Sequence, residues 1–259
     1  MTVDYSDYAC GERLASLKPG EVVMDVRIRE FQGYPKELKK KYCKFGIDYL
    51  IDSEVLALLL LFAKPRQDVR PLAGDIITQF GDFQKVLDEP IRNLVAFPGM
   101  DADSAIILKL AKDCASYYLK QKAVSKFSVR CGMDLIKYCQ MSMSGLRNEQ
   151  FRVVFLNTQS EIIEIETLQE GTIDQSVIYP RKIIERALYH RAASLIFVHN
   201  HTSGYVKPSK ADKDITDVLI LAASSVDIEV YDHLIIGGNE CFSFRDFGLI
   251  KGIPRSLCL

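Results

Sequence analysis

The stretch Leu195-Ile196-Phe197-Val198-His199-Asn200-His201, followed across a short turn by Pro208-Ser209-Lys210-Ala211-Asp212, decides how this chain is read. Its apolar run is bounded by polar residues and predicts a buried strand. In extended backbone, residues two apart project to the same side, so His199 and His201 face one point just past the strand's end. Gly204 and Pro208 turn the chain, and Ser209 then caps a helix with Asp212 at about its third position, where the helix N-terminus favours a carboxylate. Strand, turn and helix in this order fold Asp212 back onto the two imidazoles. Two nitrogens and one carboxylate oxygen leave the fourth position of a tetrahedral Zn2+ for water, the pattern of a catalytic rather than a structural site. Either half alone says little, because Ser-x-x-Asp precedes many helices simply as a cap. The joint spacing is what points to a metal.

Around this stretch the pattern alternates. A helix is expected over Met133 to Met143, strands over Gln150 to Leu156 and Glu161 to Leu168, and a helix over Arg181 to His190. The strand Ser194 to Val198 follows, then a helix over Ala211 to Ser225 and strands over Glu229 to Ile236 and Cys241 to Phe244. Strands interleaved with helices imply an α/β domain, residues 131–252, built on a mixed sheet flanked by helices.

Residues 46–123 read differently, as a small all-helical domain preceding the sheet. Ser53 is the expected N-cap of a Leu-rich helix, and further helices are expected at Val69 to Gln79, Phe83 to Leu87, Ile91 to Val95 and Asp103 to about Lys122. In the last of these, Ile106, Leu110, Cys114 and Tyr117 recur at helical spacing and predict a buried stripe. The turn Phe97-Pro98-Gly99-Met100-Asp101 resembles a helix-hairpin-helix, a possible DNA contact. The acid where a phosphate would sit favours a purely structural hairpin. Residues 1–45 lack sustained periodicity and read as a tail or loosely attached segment. The cluster Lys36, Lys39, Lys40, Lys41 and Lys44 there is a solvated stretch or, secondarily, a phosphate contact.

Composition bounds the function classes. The 259 residues carry 33 Lys and Arg against 34 Asp and Glu, so no global field draws the chain to nucleic acid or an anionic membrane. The longest apolar run, Val55 to Ala63, is too short to cross a bilayer, and the acids near the N-terminus do not suit a signal peptide. A cytoplasmic location without membrane association is the expectation. Seven scattered cysteines, none spaced Cys-x-x-Cys, read as free thiols. A zinc nucleobase deaminase is excluded, since it needs His-x-Glu followed by Pro-Cys-x-x-Cys.

His199-x-His201, seven residues, Ser209, two residues and Asp212 resemble the signature of JAB/MPN (JAMM) metalloproteases in residue type and spacing. The fuller text, His199 to Gly204 with Pro208, Ser209, Asp212, Thr216 and Asp232-His233, is similar to the bacterial RadC branch. The likeness covers most of Asn148 to about Leu249 and, more loosely, Ser53 to Lys122. Thr202 departs from it where the branch usually has Pro, which touches loop stiffness and no ligand.

The resemblance implies a cytidine-deaminase-like fold and a glutamate upstream that deprotonates the metal's water. Glu149 fits that part, because it shares strand parity with Phe151, Val153 and Phe155, whereas Glu164 and Glu166 look like a solvated face. It further implies a hydrolase cutting a peptide or isopeptide bond, with His199, His201 and Asp212 holding zinc, Glu149 as general base and Ser209 donating to the oxyanion. His190 and His233 have no partners at metal spacing and are expected in core or surface, with Asp232-His233 a candidate support for the ligands. The competing reading is a DNA-associated protein in which the zinc is structural or unused for turnover.

Overall fold

The computed structural model describes residues 34–125, 132–171 and 178–250. The chain divides into two units, residues 1–83 and 84–259.

The first unit is helical: α1 (Tyr34–Phe45), α2 (Asp52–Ala63) and α3 (Arg70–Phe80). Its interior holds Leu38, Leu56, Ala57, Leu60, Leu61, Ala73 and Ile76. Residues 34–45, read from sequence as part of a loose segment, form an amphipathic helix instead. Leu38 anchors it, and Lys41 of the basic cluster is paired with Glu54 at 2.6 Å. The rest of that segment, residues 1–33, lies outside the described residues. The start of α2 also differs from expectation. Its N-cap is Ile51, not Ser53, because the Glu54 carboxylate reaches back to accept from the Ile51 N–H at 3.1 Å. An acid at the third helical position satisfies an orphan donor that Ser53, one turn position too late, does not reach.

Helix α4 (Phe83–Asp88) begins at the boundary between the units. The second unit continues with α5 (Ile91–Val95), α6 (Ala102–Ser125) and α7 (Gly132–Met143). Then come β1 (Gln150–Leu156), β2 (Ile162–Glu170), α8 (Pro180–Tyr189), β3 (Ser194–Asn200), α9 (Lys210–Ser224), β4 (Glu229–Gly237) and β5 (Glu240–Ser243). Helices α5 and α6, grouped by sequence with those before them, fall in the unit that carries the sheet, since α6 lies along α7 and touches β2.

The stripe expected to be buried on α6 is exposed: Ile106 and Leu110 are each 50% accessible and Tyr117 is 66%. The buried face is Ser104, Ala105 and Leu108, flanked by two lysines. Lys109 donates to the carbonyls of Leu87 and Glu89, and Lys112 to Asp88 and the Ser144 carbonyl. Inward lysines that neutralise the C-terminal end of α4 rotate the apolar stripe out to solvent.

The sheet order is β2-β1-β3-β4-β5, antiparallel except for the β3–β4 pair, which is joined through α9. Both faces are covered. On one, Phe151, Val153, Phe155, Leu195 and Phe197 pack with Ile183 and Ala187 of α8 and Leu219 and Ala223 of α9. On the other, Val154, Leu156, Ile196, Val198, Leu234 and Ile236 pack with Leu135, Cys139 and Met143 of α7. Coverage on both sides explains why β3 is buried at every position and reads as an unbroken apolar run. Complete burial of Phe155 or Phe197 contributes roughly 1.5–3 kcal/mol each, which fixes the register of the strand whose end carries the histidines. No helix among the described residues is long and apolar enough to cross a membrane.

Glu166 is not on a solvated face. Its carboxylate accepts from Arg186 Nε at 2.8 Å, is also bonded to Arg186 Nη2, and meets His190 Nε2 at 2.8 Å. The His190 ring lies 4.6 Å from that of Phe155. His190 thus serves the contact between β2 and α8.

Candidate metal centre

β3 delivers the two histidines. Phe151 of β1 is the residue opposite His199, and the His201 N–H donates to the Ile236 carbonyl at 2.9 Å, continuing the β3–β4 pairing past the end of β3. Strand alternation therefore extends to residue 201, and both imidazoles emerge on the side of α8 and α9. The following turn is pressed against the end of β4. Gly204 has φ +81°, and a Cβ added at Gly237 would lie 2.3 Å from the Gly204 carbonyl oxygen, so only glycine fits at 237. Ser209 then caps α9. Its hydroxyl accepts from the Asp212 N–H at 3.1 Å, and the Asp212 carboxylate accepts from the Ser209 N–H at 2.7 Å. This reciprocal cap fixes the Asp212 side chain.

The three expected ligands converge. His199 Nε2 stands 3.0 Å from His201 Nε2, Asp212 Oδ1 is 3.3 Å from the former, and Asp212 Oδ2 is 3.4 Å from the latter. The candidate ligand atoms all lie within 4.8 Å of one another. His199 and Asp212 are buried, and His201 is half-buried toward the surface.

Hydrogen bonds on the far side of each imidazole decide where its proton sits. His201 Nδ1 faces the Tyr205 carbonyl at 2.6 Å, and a carbonyl only accepts, so Nδ1 carries the hydrogen. Behind His199 the chain is longer. The Thr216 hydroxyl donates its one proton to the Asp212 carbonyl, one helical turn back. It must therefore accept from His233 Nδ1, 2.6 Å away. A neutral His233 then has a lone pair on Nε2, which accepts from His199 Nδ1 at 2.8 Å. Both ligand histidines are left with Nε2 lone pairs aimed at each other and at a carboxylate. That arrangement is repulsive unless a positive charge lies among them, so the donor set fits a divalent metal such as zinc.

The charge states show the same demand for positive charge, which a proton on an imidazole Nε2 also meets. Bonding to Asp212 leads the causes that raise the His201 pKa, opposed by burial and aided by the Tyr205 carbonyl, the Asp212 charge and, further out, the charge of Glu149. Burial alone would push the Asp212 carboxyl up, yet the bonds from His199, His201 and Ser209 outweigh it and its pKa falls. Burial, and then the neighbouring His199, drives the His233 pKa well below the imidazole norm, which keeps that ring neutral.

Glu149 lies just ahead of β1, partly buried. Continuing the Phe151–His199 register by two residues sets it across from His201. Ser209 is at the mouth of the cluster, but its hydroxyl proton is directed to Asp212 Oδ2 at 2.7 Å, so as placed it orients a ligand. His233 and Thr216 carry more than their sequence positions promised. The signals were there: Thr216 follows Asp212 by one helical turn, and His233 shares with Ile235 the face of β4 that looks toward α9.

The family model for the RadC-like JAB domain matches residues 129–249, a span that opens just before α7 and closes after β5. Glu149, His199, His201, Ser209, Asp212, Thr216 and His233 all lie within it. A mixed sheet with helices on both faces and the three converging candidate ligands agree with this match, and residues 129–249 are similar to the RadC-like JAB domain.

Proposed function

We propose that this chain is a zinc-dependent hydrolase of peptide or isopeptide bonds, with the centre formed by His199, His201 and Asp212. The observation that carries the reading is the pair of facing Nε2 lone pairs beside a buried carboxylate, each locked by a bond on its far side. Three protein ligands are the complement of a catalytic metal rather than a structural one, which takes four.

A zinc ion held there supplies a water acidified toward neutrality and polarises a carbonyl oxygen. The remaining work falls to side chains. Glu149, across from His201, takes the proton of the attacking water and passes it to the departing amine. Ser209 holds Asp212 through both its N–H and its hydroxyl. It becomes an oxyanion donor when the ligand carboxylate no longer needs its proton. The covered α8/α9 face excludes water from behind His199.

Metal analysis of the purified full chain, joined to a peptide-library cleavage screen, tests this reading. Wild type should carry one zinc and cleave; Glu149→Gln should keep the zinc and lose cleavage by about two to four orders of magnitude, the usual worth of a general base. Cleavage by the variant at the wild-type rate removes Glu149 from the mechanism.

The match of residues 129–249 to the RadC-like JAB model supports a second reading, a DNA-associated protein whose metal is not used for turnover. The helical hairpin between α5 and α6 argues against DNA contact there. The N-terminus of α6 is already served by an acid, Asp101, whose carboxylate accepts from the Ser104 N–H at 2.8 Å where a phosphate would bind.

A further inference from the structure

Glu149 is the one member of the proposed machinery that no regular element holds on the β3 side. The pairing of β1 with β3 ends at Phe151 and His199, and the chain from Leu146 to Glu149 is irregular. On the β2 side the Gly171 N–H donates to the Glu149 carbonyl at 2.9 Å. On the β3 side the ladder is replaced by a single side chain. Asn200 Oδ1 accepts from the Gln150 N–H at 2.8 Å, and Asn200 Nδ2 donates to the Asn148 carbonyl at 3.3 Å. The two bonded peptide groups flank Glu149 on either side.

We infer that Asn200 is a positioning residue that fixes Glu149 against the metal ligands. The inference rests on the hydrolase reading for its purpose, but its geometry stands apart from it. Asn200 is covalently attached to both histidine ligands, as their shared chain neighbour. By strand alternation its side chain leaves on the side opposite the two imidazoles. It is 3% exposed, so water does not substitute for its bonds. One side chain thus ties the backbone that carries the ligands to the backbone that carries the base, holding constant a distance that proton transfer needs within a fraction of an ångström. The amide does both jobs of the clamp at once, with one acceptor and one donor on the same planar group.

The test uses the full chain reconstituted with one equivalent of Zn2+ and acetohydroxamate as probe. This acid binds metal as its anion and gives its proton to a neighbouring carboxylate. Glu149→Gln and Asn200→Ala should each weaken acetohydroxamate about tenfold, the scale of support effects at metal sites. The double variant should be no weaker than Glu149→Gln alone, and zinc content should stay at the wild-type value throughout. Asn200→Asp keeps the acceptor and loses the donor. It should fall between, and it carries the same test should Asn200→Ala not fold. Losses that multiply in the double variant, unchanged affinity in Asn200→Ala, or loss of zinc from it would each overturn the inference.

Amide hydrogen exchange separates this failure from failure of the hydrolase reading. If Glu149→Gln binds the probe as wild type does, the base assignment falls. The clamp is then judged by the Gln150 amide alone, which should exchange at least about tenfold faster in Asn200→Ala while Val153 stays protected. Equal protection at Gln150 overturns the clamp whatever the chemistry.

Discussion

His199 Nδ1 and His233 Nε2 stand 2.8 Å apart in a fully enclosed environment, and the direction of the proton between them is set from the other end, at the Thr216 hydroxyl. A candidate metal ligand is therefore oriented by a residue it does not touch. Thr216→Val keeps the volume and removes the acceptor for the His233 Nδ1–H. An unpaired buried donor costs about 1–3 kcal/mol, and zinc affinity should fall about 10–100-fold as the tautomer is freed. Urea unfolding and chelator competition measure the two effects; a variant matching wild type in both would show that the relay does not tune the site.

In the proposed centre protons and metal would compete for the same nitrogens. Because its bond to Asp212, above all, raises the His201 pKa, competition begins at a pH above the ordinary imidazole value of 6.5. Zinc affinity should be flat well above that pKa and drop progressively as pH falls through it, a profile read by chelator competition between about pH 5 and 8. In Asp212→Ala and His201→Ala, zinc content should fall well below one per chain already at neutral pH. Full occupancy in either variant would sink the ligand set.

Away from the site, Glu166 sets a separate pH dependence. Bonding to Arg186, aided by His190, holds its carboxyl down to about 2, against an ordinary value of 4.5. A lowered pKa means the stabilisation is present above 4.5 and is lost as pH falls toward 2. The stability difference between wild type and Glu166→Gln should thus be largest near neutrality and shrink on acidification. A difference that grows in acid would reverse the assignment.

Gly237→Ala should damage the candidate metal centre without altering a proposed ligand. Its new methyl meets the Gly204 carbonyl at 2.3 Å and Val206 at 2.9 Å. The turn must shift, taking with it the Tyr205 carbonyl that holds His201. A loss of about 1–3 kcal/mol is expected from such overpacking, with weaker zinc binding. Gly74→Ala, where nothing lies within 4 Å, is the control and should be neutral or gain stability.

The α/β half was legible because local signals agreed there. The apolar run of β3, the His-x-His at its end and the Ser209 cap each depend only on near neighbours, and parity transferred directly into geometry. The first turn of α2 and the buried face of α6 were not legible for the opposite reason. Glu54 rather than Ser53 closes the start of α2, and Lys109 and Lys112 turn inward because the end of α4 offers two carbonyls to the former and the Asp88 carboxylate, with the Ser144 carbonyl, to the latter. The hydropathy of a lysine says nothing about a partner some twenty residues away. The same limit left His233 only a candidate support, because local spacing does not reveal that it meets His199 across 34 positions.

The relay behind His199 has one more property. It runs from imidazole to imidazole to hydroxyl and stops at a peptide carbonyl, which accepts a hydrogen bond but does not take up a proton. It is a wire with a sealed end. A proton released at the proposed centre would find no exit through the interior behind His199 and would have to leave on the side of His201, whose ring is the less buried of the two imidazoles.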